Sequence, residues 1–179
     1  GPALVETIPD FHNTRKRLED FLSSVMKDSC DRVAEVEDLI AFAKEKAFLA
    51  DKISLSEFPS RVVHNDTKLN NVLLHKDTGE GMCVVDLDTV MPGCVLHDFG
   101  DLVRTAACSS LEDEQDLSQV CFLPAVFESI AGGYLESAGE MLAEKEIEFL
   151  PVAPLVITYE LGLRFLTDYL QGDRYFKVN

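Results

Sequence analysis

The stretch Val62-Val63-His64-Asn65-Asp66-Thr67-Lys68-Leu69-Asn70-Asn71, continued by Val72-Leu73-Leu74-His75, Lys76-Asp77-Thr78-Gly79-Glu80-Gly81, Met82-Cys83-Val84-Val85 and Asp86-Leu87-Asp88, decides how the rest of the chain is read. Arg61-Val62-Val63-His64 has the apolar, β-branched character of a short strand. Val72–His75 and Met82–Val85 are two more apolar runs, and the segment between them is rich in turn formers, which predicts a β-hairpin. That hairpin puts Asn71 just before its first strand and Asp86 just after its second. Two groups held apart in sequence therefore meet at one end of the hairpin.

Moving a phosphoryl group to a hydroxyl needs a carboxylate to orient and deprotonate the hydroxyl, and hard oxygen ligands to hold Mg²⁺ against the phosphates. Asp66 followed five residues later by Asn71 has the Asp-x-x-x-x-Asn spacing of a kinase catalytic loop, and Asp86 adds a strand-end carboxylate. Asp66 is read as the base, with Asn71 and Asp86 as Mg²⁺ ligands. Lys68 is placed to neutralise charge on the transferred phosphate, as lysine does as a point charge. Asp88 shares the side of Asp86 if the chain stays extended, and is either a further metal ligand or an acidic turn residue. His64 is read as a structural hydrogen-bonding residue of the loop, since Asp66 already fills the acid–base role. An isolated Asp-x-x-x-x-Asn carries little information; five polar positions coinciding with three strands carry much more.

Outward from this centre the chain turns helical. From about Asn13 to Lys27, Leu18, Phe21, Leu22, Val25 and Met26 form one apolar stripe, with Asn13 or Thr14 as the cap. Val33, Val36, Leu39, Ile40, Ala43 and Ala47 predict a second amphipathic helix through about Ala50, packed on the first. Pro92-Gly93 reads as a turn. Beyond it, helices are expected over Leu96–Cys108, Val120–Leu135 and Pro154–Leu170, with Leu111–Asp116 an acidic surface stretch. The stripe Leu155, Tyr159, Leu163, Leu166 and Leu170 marks the last helix, and Pro151 and Pro154 suit its first turn.

The fold class expected is α+β, mostly α, with a small β-hairpin at the functional centre. A single domain over 3–179 is expected: a helical pair (3–60), the loop and hairpin (61–94) and a helical subdomain (95–179). Gly1-Pro2 reads as a protease-cleavage scar. A net charge of −16, from 32 acidic against 16 basic residues, argues against nucleic-acid or anionic-membrane partners, which need clustered Lys and Arg. Five cysteines (Cys30, Cys83, Cys94, Cys108, Cys121) form no C-x-x-C pair and fit a reducing cytoplasm. Neither a membrane-spanning apolar run nor a signal-peptide pattern is present.

"TIPDFHNT" (7–14), "HNDTKLNNVL" (64–73), "VVDLDTVMPGCVLHDFGDLVR" (84–104) and "LGLRFLTDYLQGDRYF" (161–176) resemble the aminoglycoside phosphotransferase and choline kinase-like superfamily, and within it the N-acetylhexosamine 1-kinases. The resemblance implies the C-terminal lobe of a two-lobed kinase-like fold, with ATP as phosphoryl donor, Mg²⁺ as cofactor, and the anomeric hydroxyl of GlcNAc or GalNAc as acceptor. Other implied acceptors are choline-like alcohols, aminoglycosides or different sugars; a non-catalytic binding module is the competing class. By motif, Asp66 becomes the base, Asn71 and Asp86 metal ligands, and Asp98 an internal acceptor supporting the loop. Arg104 and Arg164 become candidates near the sugar or loop, against the alternative of salt bridges to Asp98, Asp101, Glu160 or Asp168. Phe11, His12 and Tyr175 are read as packing. No Gly-rich loop or strand lysine for a nucleotide is found, so the N-terminal lobe is expected to lie outside this chain, and little turnover is expected from the chain alone.

Overall fold

In the computed structural model, described for residues 4–112 and 114–176, one long helix is the axis on which two cores assemble. The Gly1-Pro2 scar lies outside the described residues. The helices are α1 (Thr14–Lys27), α2 (Glu37–Glu45), α3 (Val95–Ala106), α4 (Pro124–Ala138), α5 (Glu144–Phe149) and α6 (Ala153–Leu170). Four short strands lie between α2 and α3: β1 (Arg61–Val63), β2 (Val72–Leu74), β3 (Gly81–Val84) and β4 (Met91–Gly93). The domain is mostly helical with two small antiparallel sheets, an α+β arrangement.

The N-terminal half of α6 contributes Ala153 and Val156 to a core shared with Leu96, Phe99 and Val103 of α3, and with Ile53, Phe58 and Leu150. From Tyr159 onward α6 contributes Tyr159, Leu163 and Leu170 to a second core with Leu18 and Phe21 of α1, Ile40 and Ala43 of α2, and the following Leu49 and Ala50. Each large apolar side chain removed from water here stabilises the fold by roughly 1.5–3 kcal/mol before entropy is counted. The helix thus joins what α1 and α3 carry. Where α3 and α6 cross, Gly100 lets the backbones touch: a Cβ there would lie 2.7 Å from the Ala153 carbonyl oxygen and 2.9 Å from Ile157 Cγ1.

The first helix starts where its cap predicts, with the Asn13 side chain accepting from the Lys16 N–H. Its stripe is narrower than the sequence suggests, because Met26 is 82% exposed. The second expected helix is broken. A 3₁₀ turn at Val33–Glu35, the nine-residue α2 and a 3₁₀ segment at Ala47–Asp51 replace one continuous helix, and Leu39 faces solvent. A 3₁₀ turn also stacks i and i+3, so the apolar spacing survived the break. Pro92-Gly93 is a strand rather than a turn: β4 pairs with β1 in the register Arg61↔Gly93, Val62↔Pro92, Val63↔Met91. Proline fits a two-stranded ladder at the pair that exchanges no hydrogen bonds.

The Val120–Leu135 helix begins later than expected, at Pro124, which takes the first turn; Val120 and Phe122 are exposed ahead of it. The short α5 was not foreseen, since six residues carry too little periodicity. In α6, Leu155 faces solvent although the stripe includes it. The expected hairpin forms, with Val72 opposite Val84 and Leu73 opposite Cys83. No helix among the described residues is long and apolar enough to cross a membrane.

Candidate active site

The His64–Asn71 segment leaves β1 through a left-handed residue, Asn65 (φ 64°), a conformation that Asn tolerates better than most side chains. The segment is irregular, so its backbone N–H groups need partners outside a ladder. Asp98, in the first turn of α3, supplies two: its Oδ2 accepts from the His64 N–H (2.8 Å) and its Oδ1 from the Asn65 N–H (2.7 Å). The Thr67 hydroxyl donates to the Asp98 carbonyl (2.5 Å). Burial pushes the Asp98 carboxyl above its ordinary value, against the pull of those two amides. The loop is therefore held by an α3 that is itself clamped to α6.

His64 ties the loop to the hairpin. Its Nε2–H donates to the Val85 carbonyl (2.9 Å), and its Nδ1 accepts from the Asp66 N–H (3.3 Å). The hairpin base closes through the Val85 N–H, which donates to the Asn71 carbonyl (2.9 Å). Asp86, the next residue, is also left-handed (φ 63°) and starts a 3₁₀ turn that carries Asp88. Asn71, just before β2, and Asp86, just after β3, thus stand at one end of the hairpin. The 3₁₀ turn that leads into β4 backs the loop: the Asn65 side-chain amide donates to the Thr89 carbonyl (3.0 Å), and the Thr89 hydroxyl donates to the His64 carbonyl (2.6 Å). Gly93 permits this approach, since a Cβ there would lie 2.5 Å from Val63 Cγ2 and 3.2 Å from Asn65 Oδ1.

Within this frame, Lys68 Nζ donates to Asp66 Oδ2 (2.8 Å), and Asn71 Nδ2 donates to the same oxygen (3.0 Å) and to the Asp66 carbonyl (2.8 Å). The hydrogen bond to Asp66 is the main reason the Lys68 ammonium is held above its ordinary value; burial opposes it, and Asp86 and Asp101 add to it. Asp66 Oδ1 accepts no hydrogen bond among the described residues, which leaves it for a donor such as a substrate hydroxyl. The geometry brings Asp66, Lys68 and Asn71 into direct contact, and the charge on Asp86 is felt at Lys68.

The donor set suits a hard divalent cation. Asn71 spends its amide nitrogen on Asp66 and leaves Oδ1 without a hydrogen bond among the described residues, and the exposed Asp86 and Asp88 carboxylates likewise have none. Mg²⁺ is commonly held by one or two carboxylates together with substrate phosphates and water, so this set fits it. No three His, Cys, Asp or Glu side chains converge into a self-sufficient metal cage among the described residues.

The phosphotransferase enzyme family (APH) matches residues 3–123, two thirds of the chain, including the whole of this site. The chain belongs to that family. Membership makes it a kinase-type phosphotransferase domain of the aminoglycoside phosphotransferase and choline kinase-like kind.

The two arginines of this phosphotransferase part company. Arg104 donates to Asp101 through Nε (3.0 Å) and Nη2 (2.7 Å), and also pairs with Glu112, so its charge is spent inside the protein. Arg164 lies over the Tyr175 and Phe176 rings, 5.7 and 5.5 Å from their centroids. Asp168 is no partner to either arginine. It accepts backbone N–H bonds from Arg174, Tyr175 and Phe176 (3.0, 2.8 and 2.9 Å), which folds those aromatic residues back onto α6. Arg164, Phe11, Arg17, Tyr175 and Phe176 line a groove of about 540 Å³.

His12 packs on the Phe11 and His97 rings (centroids 4.8 and 4.7 Å), as expected, but it does more than pack. It is a buried polar junction between the loop and α6, bonded to Glu160 and to the Asn65 carbonyl (each 2.9 Å). The signal available in the sequence was a histidine directly before a helix cap; its partners lie 53 and 148 residues away and gave none.

Proposed function

We propose that this phosphotransferase domain transfers the γ-phosphoryl group of ATP to a hydroxyl of a small molecule, most specifically the anomeric hydroxyl of an N-acetylhexosamine. The observation carrying the reading is the Asp66 carboxylate, fixed at one oxygen by Lys68 and Asn71 while its other oxygen accepts no hydrogen bond among the described residues. Asp66 accepts the acceptor's proton as the hydroxyl oxygen attacks the γ-phosphorus, the bond from that phosphorus to the bridging oxygen breaks, and ADP departs with the electron pair. Lys68 moves from the carboxylate toward the transferred phosphoryl group as negative charge develops there. Asn71, Asp86 and Asp88 would hold Mg²⁺, which when bound would neutralise phosphate charge.

The sugar assignment rests on the sequence resemblance. The test is phosphoryl transfer from Mg²⁺-ATP by the product of the complete coding sequence, offered GlcNAc, GalNAc, choline and an aminoglycoside. Expected is an N-acetylhexosamine 1-phosphate, with kcat lowered about 10²- to 10⁴-fold in Asp66→Asn. Transfer to choline or the aminoglycoside alone would overturn the sugar assignment. No transfer to any acceptor would overturn the kinase reading.

A further inference from the structure

His12 sits in the segment leading into α1, and its ring faces two acceptors. Nε2 meets the Asn65 carbonyl oxygen and Nδ1 meets Glu160 Oε1, each at 2.9 Å. A carbonyl oxygen has no proton to give. The Glu160 carboxylate, 2% exposed, already accepts the Thr14 hydroxyl on its other oxygen (2.5 Å). With Glu160 held ionised, its pKa below the ordinary value despite burial, both ring nitrogens donate, and the pair is an imidazolium against a buried carboxylate. A buried ion pair is rarely more stabilising than apolar residues of the same shape, so its geometry calls for another explanation.

The peptide unit that joins Asn65 to Asp66 supplies one. Its oxygen is held by His12 Nε2–H, and its N–H donates to His64 Nδ1 (3.3 Å). Two imidazoles thus grip opposite ends of one peptide plane, directly after a left-handed residue. Fixing that plane removes the torsional freedom that would swing the Asp66 side chain. We propose that His12, held by Glu160, is a positioning residue that sets the direction of the Asp66 carboxylate. The role rests on Asp66 being the base of the reading above.

The surroundings select the charged form of His12 alone. Burial works against its charge, but Glu160, the Asn65 carbonyl and Asp101 outweigh burial and hold it above the ordinary imidazole value. His97 of α3, its ring centroid 4.7 Å away, is pushed down to about 3, first by burial and then by the His12 charge. Asp98, on the same helix, also feels that charge. Arg17 of α1 donates to the Asp10 and Phe11 carbonyls (3.4 and 3.3 Å), steadying the segment from the other side.

The test combines kinetics with a direct view of the ring in the product of the complete coding sequence. In His12→Gln, where a single amide nitrogen replaces two ring nitrogens on opposite sides of the ring, kcat is expected to fall about 10- to 100-fold, as for a misplaced catalytic group, with the KM for ATP unchanged. The wild-type kcat is expected to decline as pH rises through the His12 deprotonation. That decline should vanish in His12→Gln and begin at lower pH in Glu160→Gln, readouts that a purely structural role would not move. ¹⁵N NMR of the wild-type ring at pH 7 is expected to show both nitrogens protonated. A neutral ring, or a folded His12→Gln with wild-type kcat, would overturn the positioning role and leave the functional reading standing. Full transfer by Asp66→Asn would overturn the functional reading and the positioning role with it.

Discussion

Replacing Asp98 by Asn isolates what holds the loop from what reacts on it. The two carboxylate oxygens accept separately from His64 N–H (2.8 Å) and Asn65 N–H (2.7 Å). An asparagine of the same shape has one acceptor and sets an N–H against the other amide, so one hydrogen bond to a charged group is lost, roughly 1.5–3 kcal/mol. Part of this is recovered, because burial already strains the ionised carboxyl, as its raised pKa records. The net expectation is a destabilisation of about 2 kcal/mol, a fall in Tm of about 4–8 °C for a domain of this size. Calorimetry measures the global effect, and amide hydrogen exchange at His64 and Asn65 locates it. An Asp98→Asn protein that melts at the wild-type temperature and keeps both amides protected would refute the claim that this carboxylate holds the loop.

Three other expectations follow from the same structure. Gly100→Ala drives a Cβ into the Ala153 carbonyl, which cannot rotate away; overpacking of about 3 kcal/mol, less about 1 for helix propensity, predicts a Tm lower by about 4–8 °C, and an unchanged melting curve would contradict the crossing geometry. Arg61 bonds Glu146 in a bidentate pair (3.0 and 2.7 Å) that leaves the glutamate 0% exposed, so Arg61→Met strands a buried carboxylate and should cost about 3 kcal/mol in urea unfolding. The His12–Glu160 pair gives stability a pH window. His12, with its pKa raised, contributes fully below its ordinary 6.5 and loses that contribution as pH rises through the folded value. Glu160, with its pKa lowered despite burial, contributes above its ordinary 4.5 and loses that contribution as pH falls through the folded value. Tm should therefore be greatest between those two values, and Glu160→Gln should flatten both declines.

Local signals carried as far as local physics reaches. The cap at Asn13, the hairpin and the end of the hairpin that joins Asn71 to Asp86 were all legible, because each depends on residues close in sequence. The β1–β4 pairing was not, since Pro92-Gly93 has turn composition and its strand character comes from a partner some thirty residues back, Arg61–Val63. The break in the second helix hid for a different reason: i, i+3 spacing serves 3₁₀ and α geometry alike. Among the candidate site residues, Asp66, Lys68 and Asn71 were placed by motif spacing. The support given by His12 with Glu160 depends on α6 returning beside α1, which spacing does not encode.

The hairpin has a consequence for how this chain tolerates changes of length. Leu73, Leu74, Met82 and Val84 are all about half exposed or more, so the two strands are aligned chiefly by their own ladder and by the bond between Val85 and Asn71 at its base. That base fixes the spacing of Asn71 and Asp86, the two proposed metal ligands, and the far turn at Lys76–Glu80 does not. Residues added or removed at the turn change the reach of an arm that ends in solvent. One residue added between Val84 and Asp86 shifts the carboxylate by a strand step of about 3.3 Å and reverses its face. Length variation among natural versions of this domain should therefore collect at the tip of the arm and be absent from its root.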